Sequence, residues 1–117
     1  MGEGFRNLIA WQKAYKFVLE VYVATKSFPK DELYCLTSQT RRAVISVLAN
    51  IAEGYERQSR KEYVRFLRIS KGSLGEVETY LLLAKDLEYL KSEKYNELES
   101  QRVEVAKLLR GLINSLH

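Results

Sequence analysis

Asn50 and Glu53 interrupt an otherwise apolar run in the stretch SVLANIAEGYERQSRKEY, residues 46–63. An amide and a carboxylate three residues apart lie on one face of a helix. At about 100° per residue they share a strip with Gln39, Arg42, Ser46 and Arg57, at a large angle from the stripe of Val44, Val47, Ile51 and Tyr55. Such a strip suits an ordinary solvated face, a polar seam satisfied across a subunit interface, or a catalytic or ligand-binding row. Acid–base chemistry finds little else here. The single histidine, His117, is the last residue, where fraying defeats a general base or a multi-histidine metal site. A di-iron bundle centre needs Glu-x-x-His on two helices, and the chain has none. Cys35 would act as a nucleophile only if a neighbour lowered its pKa; between Tyr34 and Leu36 it reads as a small buried or half-buried residue. Lys71-Gly72-Ser73 echoes only a fragment of a phosphate-binding loop. Neither enzymatic activity nor a metal or cofactor is expected.

Charge offers more. Residues 58–75 hold five basic groups and one acid, whereas residues 76–90 hold one basic group and four acids. Arg57 and Arg60 lead into Lys61, Arg65, Arg68 and Lys71, and the last four or their neighbouring turn share a helical face able to meet successive phosphates. Arg41 and Arg42 would enlarge that patch. The competing reading is a solvated flank whose arginines pair with acids elsewhere in the protein. No base-reading or stacking module accompanies the cations, so binding to RNA or DNA would be directed at the backbone.

These residues need elements to carry them. Apolar residues recur at helical spacing in four segments, approximately 7–27, 32–56, 60–90 and 93–115, within one domain spanning residues 1–117. Asn7 is a candidate N-cap for the first, which Phe28-Pro29 ends, and Asp31 for the second. Ser59 with Glu62 forms a capping-box signature for the third. The fourth has the seam Tyr95, Leu98, Arg102, Val105, Leu109, Leu112 and Leu116, in which Arg102 must snorkel or find a carboxylate. Short breaks predict antiparallel neighbours, hence an all-α, up-down-up-down four-helix bundle. Gly72 and Gly75 inside the third helix imply a close approach by a neighbouring helix or a kink. Ile45, Ala49 and Ala52 extend the apolar perimeter of the second helix beyond what a small bundle needs, which points to an oligomer.

The whole chain of 117 residues, 46% apolar and with a formal charge of +4, reads as a folded globular domain. One cysteine excludes an intrachain disulfide, and no apolar run approaches the ~20 residues that cross a bilayer. A soluble cytoplasmic protein without a membrane partner is the expectation.

LIAWQKAY (8–15), SFPKDELYCLTSQTRRAVISVLANIAEGYERQS (27–59) and KEYVRFLRISKGSLGEVETYLLLAKDLEYL (61–90) together resemble the bacterial four-helix bundle family of 23S rRNA intervening-sequence proteins. The accessory variability determinant of diversity-generating retroelements is a more distant likeness, with a basic surface used with nucleic acid and a reverse transcriptase. The matching positions are Trp11 and Gln12 on the first helix; Phe28 and Pro29 at its end; Gln39, Arg41 and Arg42 early in the second; Asn50, Glu53 and Gly54 in the most characteristic motif; and Gly72, Ser73 and Glu76 on the third. Leu48 stands where many members carry proline, which should leave this helix straighter. The resemblance implies a small homo-oligomer, characteristically a pentamer. Joined to the basic strip, it suggests a non-enzymatic scaffold binding RNA, DNA or a nucleic-acid-handling protein, or alternatively a structural or protein-interaction module with no nucleic-acid binding.

Overall fold

The computed structural model describes residues 4–116. A 3-10 turn, Gly4–Asn7, leads into α1, Ile9–Thr25; a second turn, Lys30–Glu32, precedes α2, Leu36–Tyr55; α3 covers Arg60–Asp86 and α4 Ser92–Ser115. Side-chain ties fix the order of packing. Arg41 reaches Thr25 and Tyr22, joining the start of α2 to the end of α1. Ser70 bonds to Val47, and Ser73 to Ser46, so α3 returns along α2. Arg102 meets Glu78, and Lys13 and Glu20 of α1 pair with Glu104 and Lys94 of α4. Each pairing matches a higher number with a lower one in reverse. The result is the expected antiparallel bundle, all-α among the described residues, closed by α1 against α4 and measuring 43 × 25 × 24 Å.

The inward positions follow the 3.6-residue period. Phe17 and Val21 of α1, Val44, Val47 and Ile51 of α2, Leu67, Leu74, Val77 and Leu81 of α3, and Leu98, Val105 and Leu109 of α4 are almost fully buried. On α4 the buried position shifts from the expected seam residue Leu112 to Ile113. A straight helix drifts about 20° per heptad against a strict seven-residue pattern, which carries Leu112 toward the edge. Arg102 answers its half-buried charge with Glu99, at 2.6 and 2.8 Å, and with Glu78 at 3.3 Å. Those carboxylates raise its pKa, led by the hydrogen bonds to Glu99.

The helix ends depart from expectation. Asn7 closes the 3-10 turn, and Leu8, without a side-chain cap, precedes α1. Asp31 lies within the second 3-10 turn, so α2 starts four residues later, behind Cys35. Glu32 supplies the acceptor instead: one carboxylate oxygen receives the Leu36 amide at 3.3 Å and the other the Tyr89 hydroxyl at 2.9 Å. Cys35 is exposed and not half-buried, because the capping position puts it outside the inward-facing positions that begin with Leu36 and Thr37. Ser59 caps α3, accepting from the Glu62 amide at 3.1 Å. After Asp86 the chain turns through Glu88, at φ 67°, while the amides of Tyr89 and Leu90 return to Ala84.

Candidate functional site

Three surfaces collect the residues singled out by type and spacing. The first is a groove of about 640 Å³ between the start of α3 and the end of α4, lined by Arg60, Lys61, Val64, Arg65, Arg68 and Leu116. Residues 60, 64 and 68 recur every four positions and so share one side of α3, on which Val64 is buried and Arg60 and Arg68 are exposed. Glu62 is the acid within this turn, and Arg65 grips it with two nitrogens at 3.1 and 3.2 Å. That bond holds the Glu62 carboxyl below its ordinary pKa and lifts the guanidinium correspondingly. Lys71 is exposed one turn beyond Arg68.

Arg57 stands beside this groove with a different task. It bonds to Glu53 at 2.6 Å and lies over the Phe66 ring at 4.7 Å, while Arg65 lies over the same ring at 4.5 Å. Arg41 and Arg42 do not join the patch. They sit thirteen or more residues before the end of α2, about 20 Å along its axis. Arg41 is held there by Thr25 at 2.8 Å and by the Tyr22 ring at 4.7 Å, and both arginines border a separate depression of about 490 Å³ with Leu33, Tyr34 and Ile45.

The second surface is the α2–α3 seam. Asn50 donates from Nδ2 to the Ser46 carbonyl at 2.8 Å and to its hydroxyl at 3.0 Å, and that hydroxyl shares a 2.9 Å hydrogen bond with Ser73. Gly54 is buried where a β-carbon would come within 2.9 Å of Phe66 Cβ and 3.1 Å of Tyr63 atoms. Glycine is therefore required by the approach of α3. Gly72 and Gly75 differ: beyond the local helix backbone and the adjacent residues, no described atom lies within 4 Å of a β-carbon built at either. Within the described chain, no close approach accounts for either glycine. Gln39 and Glu76 are exposed on the outer side of this helix pair.

The third surface is the outer face of α1 and α2. Trp11 stacks on Tyr15 at 5.1 Å and tilts against Phe5 at 5.4 Å, while Gln12 donates to the Arg6 carbonyl at 2.8 Å. This pair clasps the N-terminal turn to α1. Pro29 opens the next turn, and the preceding Phe28 is buried against Tyr89. Tyr15, Leu19 and Val23 lie outward along α1, with Ile45 outward on α2 and Tyr34 at its approach.

Sequence reasoning named the rim of the groove but not its apolar floor of Val64 and Leu116. Their four-residue spacing from Arg60 and Arg68, and the end of the α4 seam, were the available signals. Glu32 was missed because its acceptor role depends on Tyr89, 57 residues away. Among the described residues no group of three or more His, Cys, Asp or Glu side chains could hold a metal, and no helix is long and apolar enough to cross a membrane. His117 lies outside the described residues.

Among curated proteins, none matches this sequence. Among solved structures, it is similar to a protein of unknown function from the S23 ribosomal protein family of Bacteroides thetaiotaomicron, at 26% identity and a TM-score of 0.84. That match covers 90% of this chain and 98% of the other. The family described as 23S rRNA-intervening sequence protein matches residues 6–111. With nearly the whole bundle inside that match, the chain belongs to the 23S rRNA-intervening sequence protein family.

Proposed function

We propose that the chain is a non-enzymatic structural or protein-interaction module that works as a self-associating helical scaffold. The observation supporting this is the outward apolar band of α1 and α2: Tyr15, Leu19 and Val23 are 46, 52 and 59% exposed, Ile45 44% and Tyr34 92%. Apolar side chains exposed in this way gain stability when a second surface removes them from water. A second copy supplies such a surface, and a closed ring of five subunits is what the family resemblance suggests. Light scattering at micromolar concentration tests it. The expected mass is a multiple of 13.6 kDa, and Leu19→Glu with Ile45→Glu should lower it toward a single chain while helicity is retained. A clean 13.6 kDa species for the parent protein would overturn self-association.

The convergence of Arg60, Lys61, Arg65 and Arg68 favours a second reading, a scaffold that binds the backbone of RNA or DNA, or a nucleic-acid-handling protein, through this face. It has less support, because Arg65 and Arg57 already hold carboxylates and Arg41 is engaged elsewhere. Its test is anisotropy of a structured RNA and a duplex DNA at two salt concentrations. Salt-sensitive binding that Lys61→Gln with Arg65→Gln and Arg68→Gln removes would support it, and absence of binding at about 50 mM salt would reject it.

A further inference from the structure

We propose that the groove between the start of α3 and the end of α4 is a docking site for an acidic amphipathic helix of a partner protein. This rests on the reading of the chain as an interaction module and adds the chemistry of the partner. Four cationic side chains, Arg60, Lys61, Arg65 and Arg68, rim the groove, and its floor is made by Val64 and Leu116. The cations extend over residues 60–68, about 12 Å of helix axis, or two turns. Two turns of a partner helix carrying carboxylates at i, i+4 and i+7, about 10.5 Å apart end to end, match that length.

The floor decides between anions. Val64 is 9% exposed and Leu116 half-buried, so the two side chains at the base of the groove offer apolar carbon. A phosphate backbone has nothing to bury there. Bases would need an open aromatic face to stack on, and the neighbouring ring, Phe66, has Arg57 and Arg65 over it at 4.7 and 4.5 Å. An amphipathic helix satisfies both parts. Its carboxylates reach the rim and a leucine or phenylalanine covers the floor, the groove mode in which anchors repeat at i, i+3 and i+4.

The probe is a fluorescein-labelled peptide of about fourteen residues, roughly 21 Å as a helix, with glutamates at i, i+4 and i+7 beside a face of leucines. Three further probes carry the distinction: the same peptide with its leucines changed to serine, a scrambled peptide of the same composition, and an oligouridylate of equal charge. Anisotropy with the full chain should show the amphipathic peptide binding about tenfold or more tightly than each of the others, because burial of one leucine corresponds to that factor. Arg60→Glu with Lys61→Glu should weaken it about tenfold or more through charge reversal, and Leu116→Ser should weaken it severalfold without altering the oligouridylate. Circular dichroism and light scattering on each variant separate loss of fold or assembly from loss of docking. Leucine-to-serine or scrambled peptides that bind equally well would overturn the proposal, as would tighter binding of the oligouridylate, no peptide binding at all, or binding unchanged in Arg60→Glu with Lys61→Glu. None of these outcomes depends on the mass of the assembly, so failure of self-association is read independently.

Discussion

Gly54→Ala tests the close approach of α3 to α2. The added β-carbon would lie 2.9 Å from Phe66 Cβ, 3.1 Å from Tyr63 Cδ1 and 3.1 Å from the Tyr63 carbonyl oxygen. Carbon atoms pack best at roughly 3.5–4.0 Å, and two of these neighbours cannot rotate away, one being backbone and the other the first atom of a side chain. Helix α3 would have to move outward at this level, loosening its contacts with α2. Overpacking of this kind costs about 2–3 kcal/mol, against which alanine gains about 1 kcal/mol in helix propensity. The net expectation is a loss of about 1–2 kcal/mol. For a chain of 117 residues, an unfolding entropy of about 2.1 cal/mol/K per residue converts that into a fall in Tm of roughly 4–8 °C.

Thermal unfolding followed by circular dichroism, at one fixed protein concentration, gives the comparison. Gly72→Ala and Gly75→Ala are the internal reference, because beyond the local helix backbone and the adjacent residues no described atom lies within 4 Å of either added carbon. Each should gain up to about 1 kcal/mol from propensity alone. A Gly54→Ala protein as stable as its parent would refute the steric reasoning. So would equal destabilisation by Gly54→Ala and Gly72→Ala with assembly unchanged.

Ser70→Ala removes the buried 2.7 Å hydrogen bond to the Val47 carbonyl and should lower stability by about 1 kcal/mol in urea titration; Asn50→Ala, which leaves the Ser46–Ser73 bond in place, should lose no more than that. The covered Tyr63 hydroxyl has no partner among the described residues, and burial raises its pKa, so Tyr63→Phe should melt at the same temperature or a few degrees higher. Tyr89 has its pKa raised above 10.0 chiefly by its hydrogen bond to Glu32; a raised folded value means the tie stabilises fully below 10 and is lost as pH climbs through that value. Melting curves between pH 8 and about 11 should therefore decline less steeply for Tyr89→Phe than for the parent, and parallel slopes would remove Tyr89 from the account.

How legible these features were depended on sequence distance. The four helices and most of their inward stripes follow from a period visible within each segment, and the cap at Ser59 from residues three apart. The start of α2 was misplaced because its acceptor, Glu32, is oriented by Tyr89, and no local pattern joins residues 57 positions apart. The basic run was visible as composition, but its division was not. Whether an arginine borders the groove, covers Phe66 or ties α1 to α2 depends on which helix stands beside it. Glycines posed the same problem: Gly54, Gly72 and Gly75 look alike in sequence, and only the packing of α3 against α2 distinguishes the first from the other two.

The geometry also makes the stretch from Asn50 to Arg65 a single packing unit. Gly54 lets Phe66 come against α2, and that closeness leaves the Phe66 ring at the edge of the seam, within reach of Arg57 and Arg65. Each arginine is aimed by a carboxylate on its own segment, Glu53 for Arg57 and Glu62 for Arg65. Asn50 meanwhile binds Ser46, whose hydroxyl crosses to Ser73 two turns farther along α3. The amide and the carboxylate that looked most like chemistry thus act on the two ends of one helix contact. A consequence reaches the neighbouring groove. Because Arg57 and Arg65 serve Phe66, the cations there are not interchangeable, and charge reversal at Arg60 and Lys61 alters the groove's field without dismantling the cover over that ring.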